Sequence, residues 1–265
     1  MAIDANSYFS NQASVGLGGA TAGQFDKFDL HATPKYNLGF KVEQADGSIY
    51  RYAHLGAATN RGLAVSQDLS ETSTVDTDNV VIAPASAVAV PDETMKPGAI
   101  GSHYVQLTLA SITANQFRGG KFVTTDDTGE GYTYDILGNT ATDNPATGDI
   151  RLTLAQKLQV ALDTTTDISI EGNPYSDLEG ITTTDEFPVG ITCATTTAAL
   201  PYCWIQTKGT VGVLQQGSVT LGGVLVTGSA TGSLTEGTVF TSPFVGFCVD
   251  PGDDGGHMVA HINLE

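Results

Sequence analysis

Glycine and proline interrupt this chain so often that no long helix fits between them. There are 31 glycines and 10 prolines, and in a helix interior they cost about 1 and about 3 kcal/mol respectively relative to alanine. The residues between these breaks favour extended backbone. Threonine recurs in runs at Thr164-Thr165-Thr166, Thr182-Thr183-Thr184 and Thr195-Thr196-Thr197. Its branched Cβ stiffens χ1 and suits a pleated, half-buried surface. The chain is therefore expected to be all-β, with turns at short intervals.

Alternation of apolar and polar residues locates the strands. Leu38 to Gln44 alternates, Asp46-Gly47 supplies a favoured two-residue hairpin turn, and Ser48 to His54 returns. Residues 66–98 read as loop around one short apolar strand, Val80-Val81-Ile82. Further strands follow, with one apolar face formed by Val105, Leu107 and Leu109, another by Tyr132, Tyr134 and Ile136, and a third by Ile150, Leu152 and Leu154. Gly119 to Thr125, Lys157 to Leu162 and Thr166 to Ile170 fit a period of two. In the last third, strands are expected at Cys203–Thr207, Val211–Leu214, Ser218–Val226, Thr238–Phe240, Phe244–Val249 and His257–Leu264. Such spacing suggests sandwiches or barrels, and no fixed-period repeat points to a propeller or β-helix.

Residues 1–37 differ from the rest, being rich in Gly, Ala, Ser and Asn and lacking periodicity. The expected organisation is an extended N-terminal arm (1–37) followed by two sandwich- or barrel-like β modules, 38–185 and 186–265. An alternative pairs strands from 38–110 with the C-terminal third around a middle insertion. In the arm, Tyr8, Phe9, Phe25 and Phe28 are large apolar residues in a polar setting. They are the expected contacts with another subunit.

Charge narrows the partners. With 11 basic and 29 acidic residues the formal charge is −18, and no two Lys or Arg are adjacent. Nucleic-acid binding needs clustered cations that release counterions, so neither nucleic acid nor an anionic membrane surface is expected as a partner. No run approaches the ~20 apolar residues of a membrane-spanning helix, and the N-terminus has no signal-peptide pattern. The expectation is a soluble protein made in the cytoplasm. Cys193, Cys203 and Cys248 are an odd set without a CxxC pair, which suits buried reduced thiols better than disulfides or zinc.

Residues able to do chemistry are present but unassembled. The acidic pairs Asp92-Glu93, Asp126-Asp127, Asp185-Glu186 and Asp253-Asp254 sit beside Gly, Pro or Thr, where Asp serves turn geometry. Asp76-Thr-Asp78-Asn79 and Asp250 to Gly256 could offer calcium several oxygens, yet neither has the EF-hand spacing. His257 and His261 are four apart, too far along a strand for a zinc pair, and no HExxH or GxSxG occurs. No enzymatic activity, cofactor or metal is expected.

Several segments resemble virion structural proteins of tailed bacteriophages. The likeness begins at Asp46-Gly-Ser-Ile-Tyr-Arg-Tyr-Ala53, a D-G-x-x-Y-R-Y-A hairpin followed by small residues. It continues through Gly129-Glu-Gly-Tyr-Thr-Tyr-Asp-Ile136, Ile150-Arg-Leu-Thr-Leu154, Asn173-Pro-Tyr175 and Tyr202-Cys-Trp-Ile-Gln-Thr-Lys-Gly209, covering residues 40 to 228. The resemblance implies a capsid decoration, or cement, protein on the outside of the virion. It implies the major capsid protein as partner, and self-association, often as a homotrimer. Residues 211–233 contain no Asp, Glu, Lys or Arg, which independently suits a strand edge or interface between copies. The competing class is a tail-associated adhesin recognising surface glycans through exposed aromatic platforms; the single tryptophan, Trp204, lies in an apolar strand and is expected to be buried.

Overall fold

A computed structural model describes residues 25–67, 74–77 (backbone alone), 98–143, 148–163, 165–182, 186–237 and 243–265. Among them there are sixteen strands and no helix. The first nine are β1 (Lys41–Glu43), β2 (Ile49–His54), β3 (Ala64–Gln67), β4 (Thr74–Thr77), β5 (Tyr104–Thr108), β6 (Lys121–Asp126), β7 (Thr133–Asn139), β8 (Asp149–Leu154) and β9 (Asp167–Glu171). The remainder are β10 (Leu178–Gly180), β11 (Gly190–Thr192), β12 (Tyr202–Leu214), β13 (Val224–Thr227), β14 (Leu234–Glu236), β15 (Phe244–Asp250) and β16 (His257–Asn263). The chain is all-β, built from two antiparallel sheets, one of them curled into a half-barrel.

The strands divide into two compact units, and the division is nested. One unit combines residues 1–67 with 175–265; the other is 68–174. The linear division at residues 185/186 does not coincide with this arrangement. The reason lies in long-range pairing: β2 pairs with β12 and β3 with β11, so residues 41–67 belong to the same sheet as the C-terminal third. The insertion alternative captures this for β1–β3, while β5 belongs to the middle unit.

In the middle unit the sheet order is β4-β9-β6-β7-β8-β5. Its core takes Val105 and Leu107 from β5, Phe122 from β6, Tyr134 and Ile136 from β7, Ile150, Leu152 and Leu154 from β8, and Ile168 and Ile170 from β9. A single sheet that buries one cluster drawn from so many of its strands has to curl around it. Alternation is clean here because one face is wet. Residues 157–162 differ from expectation, forming no ladder. Leu158 and Leu162 still alternate into the core, held by single backbone bonds from Leu158 N–H to Ser102 O and Leu162 N–H to Gly98 O. The strand expected at residues 80–82 lies outside the described residues.

In the other unit the path is β10-β3-β11-β12-β16-β15-β13-β14, with β1 and β2 joined through β12. The two strands expected at 203–207 and 211–214 are one strand of 13 residues. β12 pairs with β2 over Tyr202 to Lys208 and with β16 over Lys208 to Leu214. The β1–β2 hairpin forms as expected, but with a three-residue loop. Gly47 N–H bonds to Gln44 O, Gln44 N–H bonds to Ser48 O, and Gly47 takes φ of 81°. This is a type I turn closed by a left-handed glycine, with the Asp46 carboxylate accepting from Ser48 N–H.

Candidate binding site

Residues 25–37, expected to be part of an extended arm, lie against their own chain's sheet. Where β2 meets β12, alternation sends Tyr50, Tyr52, Tyr202 and Trp204 to one face and Ala53, Cys203 and Ile205 to the other. Both faces are covered. Phe25, Tyr36 and Phe40 pack over the aromatic one, with Phe25 edge-on to Trp204 at 5.0 Å between ring centres and Tyr36 edge-on to Tyr52 at 5.2 Å. His31 and Tyr202 exchange backbone bonds of 2.9 and 3.2 Å, and the His31 ring Nδ1 meets Tyr52 Oη at 2.8 Å. Burial lowers the pKa of His31, and the Lys35 charge lowers it further. The segment is in effect a lid of aromatic side chains that the sheet needs, because Trp204 and Tyr52 would otherwise face water.

Of the four expected partner contacts, Tyr8 and Phe9 lie outside the described residues. Phe25 spends its ring on Trp204 and Tyr50. Phe28 points outward and is 58% exposed. Trp204 is 2% exposed, so it offers no sugar-stacking platform.

Phe28 borders a cavity of about 350 Å³. Its wall comes from segments far apart in sequence: Lys27 and Phe28, the Arg61-Gly62 turn after β2, Thr192 and Cys193 at the end of β11, Val211 and Gly212 in β12, and His257 at the start of β16. The turn is pinned, since Gly62 N–H donates to Thr192 O and Gly62 O accepts from Leu214 N–H, both at 2.8 Å. Gly62 has φ of 72°, and a Cβ there would come within 2.7 Å of the His257 ring. Only glycine lets the backbone of this turn pass so close to the His257 ring. The Lys27 ammonium stands 5.2 Å from the Phe28 ring centre and 5.8 Å from that of Tyr50.

Two of the chain's 11 Lys and Arg line this cavity. Lys41, Arg51 and Lys121 have a carboxylate partner, whereas Lys35, Arg118, Arg151, Lys157 and Lys208 have none within 4 Å among the described residues. Among the described residues no carboxylate lies within 4 Å of Lys27, Arg61 or His257. The neutral donors are already committed: Thr192 Oγ1 donates to Asn60 O, and Gln206 Nε2 to Lys208 O and Thr210 O. Burial pushes the Cys193 thiol up to about 12, against the pull of Lys27. It therefore stays protonated and neutral near pH 7.

A second feature is the outer side of the β13-β15-β16-β12 sheet. Val245, Cys248, Met258, Ala260 and Ile262 point into the core. Phe244, Phe247, Val249 and Val259 are left outside, with Phe244 53% and Phe247 45% exposed. Val224, Phe247, His261 and Thr210 form one cross-strand row, and Phe247 stacks on His261 at 5.2 Å.

The acidic turns are engaged within their own chain. Asp126 accepts from Asp127 N–H, Asp254 from Gly217 N–H, and Glu186 from the Ser66 and Thr182 hydroxyls. Among the described residues no three His, Cys, Asp or Glu are grouped to hold a metal ion. Asp92-Glu93 and Asp78-Asn79 lie outside them. The cavity escaped sequence reading because Lys27, Arg61 and His257, which line it, are linked by no motif. No protein-family model matches the chain, and neither the curated proteins nor the solved structures give a match.

Proposed function

We propose that this chain is a structural protein that works by packing against other subunits, binding the outer surface of a tailed-phage capsid and stabilising it. The observation that carries the reading is the apolar outer side of β15 and β16. Phe244, Phe247, Val249 and Val259 lie open there in a chain of formal charge −18. Like charges repel copies of such a chain from each other almost everywhere else. A face of aromatic and β-branched residues is where a second copy or a shell protein can seat without desolvating carboxylates. Many such weak contacts to one lattice reinforce each other through effective concentration. The capsid as the partner comes from the sequence resemblance; the face supports association in general.

The test is co-sedimentation of the purified chain with assembled capsids that lack it. Saturable binding that F247D/V259D removes, with the Trp204 emission spectrum unchanged, supports the proposal. Failure of the wild-type chain to sediment with capsids, or full binding by the double variant, refutes it.

A further inference from the structure

We infer that the cavity walled by Lys27, Arg61 and His257 is a binding site for a carboxylate carried on a small apolar body. The inference stands apart from the capsid reading and uses neither the exposed sheet face nor the resemblance.

Three observations carry it. First, a chain with 29 acidic residues and only 11 Lys and Arg places two of those cations and an imidazole around one cavity. None of the three has a carboxylate within 4 Å among the described residues. Second, the site is built. Two backbone bonds hold the Arg61 turn, and Gly62 removes the side chain that would strike His257. Third, the same cavity has apolar lining in the exposed Phe28 ring, Val211 and the neutral Cys193 thiol.

Each observation narrows the ligand. The guanidinium fork of Arg61 matches a carboxylate bidentately, and the Lys27 ammonium on the same cavity adds a point charge. The volume is at the lower end of small-molecule pockets. It takes one group with a ring or short alkyl body, where a nucleic-acid backbone would meet the repulsion of the whole chain. With Thr192 and the Gln206 amide already donating internally, a hydroxyl-rich body would find few partners. An apolar one would cover Phe28 and Val211. The same chemistry is offered by a free organic acid and by the C-terminus of a peptide ending in an apolar residue.

The experiment is amide NMR titration of the full ¹⁵N-labelled chain with phenylacetate, phenylacetamide and acetate. A second arm uses a hexapeptide ending in phenylalanine, as the free acid and as the amide. Phenylacetate should shift the Gly62, Thr192 and Gly212 amides, while phenylacetamide and acetate bind at least about tenfold more weakly. Arg61→Gln and Lys27→Gln should each weaken phenylacetate about tenfold, with Lys157→Gln unchanged and all three variants melting as wild type does. Tighter binding of the free-acid peptide than of phenylacetate assigns the site to peptide C-termini, and the reverse order to small acids. Equal binding of phenylacetamide, no shift at those three amides with either acid, or undiminished binding by R61Q overturns the inference.

Discussion

Removing the charge of Glu265 tests how the sheet is closed around Arg51. The Arg51 guanidinium donates to both carboxylate oxygens of Glu265 at 2.8 Å and to Gly39 O at 2.9 Å, and Thr207 Oγ1 donates to the same carboxylate at 2.7 Å. The bonds from Arg51, with help from Thr207 and the Lys41 charge, bring the Glu265 carboxyl down from 4.5 to about 2. At about 1.4 kcal/mol per pH unit, that is about 3 kcal/mol of coupling. The two side chains are 24% and 18% exposed, so water screens part of it and about 2 kcal/mol remains. Because the folded pKa lies below the unfolded one, this stability is complete above about pH 4.5. It is lost as pH falls through about 2, with less than half left at pH 3. Glu265→Gln should therefore lower the urea-unfolding free energy by about 2 kcal/mol at pH 7 and by less than half as much at pH 3. The chain's one tryptophan, Trp204, lies in the same unit as the pair, so its fluorescence follows the relevant transition. A variant within 0.5 kcal/mol of wild type at pH 7, on the ~1 kcal/mol scale of one charge-assisted bond, would refute this account. So would a deficit that stays constant down to pH 3.

Two further outcomes follow from packing. A Cβ at Gly120 would lie 2.0 Å from the Glu171 carbonyl oxygen on the neighbouring strand, so Gly120→Ala should destabilise the middle unit by about 3 kcal/mol or more, read as a lowered circular-dichroism melt. Cys193, Cys203 and Cys248 are buried and free, and burial pushes the first two thiols up to about 12. Ellman's reagent at pH 8 should label none of them in the native chain and all three in urea; rapid native labelling would contradict the packing.

The half-wet sheet of the middle unit was the more legible part of the sequence. In β8 and β9 one face meets the core and the other meets water, so Ile150, Leu152 and Leu154, then Ile168 and Ile170, print a period of two. The nested unit was harder to read. β2 and β12 are covered on both faces where they meet, which erases alternation and splits one long strand into two apparent ones. β3, β10 and β11 are three or four residues long, and β3 buries Ser66 and Gln67 beside Ala64 and Val65. Nothing local in such segments says that Val65 will pair with Gly190. The candidate site shares this difficulty, because Lys27, the Arg61 turn and His257 at the start of β16 come to line one cavity only through long-range pairing.

In sequence the hydrogen-bonded neighbours β3 and β10 stand before and after the middle unit, with Gln67 opposite Leu178. This placement imposes an order of events at the ribosome. Residues 41–67 emerge early, but their partner strands β10, β11 and β12 are synthesised only after the whole middle unit. At roughly 5–20 residues per second, the Tyr50–Tyr52 hairpin waits on the order of ten seconds or more for Trp204 to arrive. By the last part of that interval the middle unit has its whole sequence and can complete its own core, while the hairpin's aromatic side chains still lack Trp204. A chaperone that shields early-emerging aromatic segments would thus act on residues 41–67, and its loss would lower the yield of soluble chain more than the stability of the finished fold.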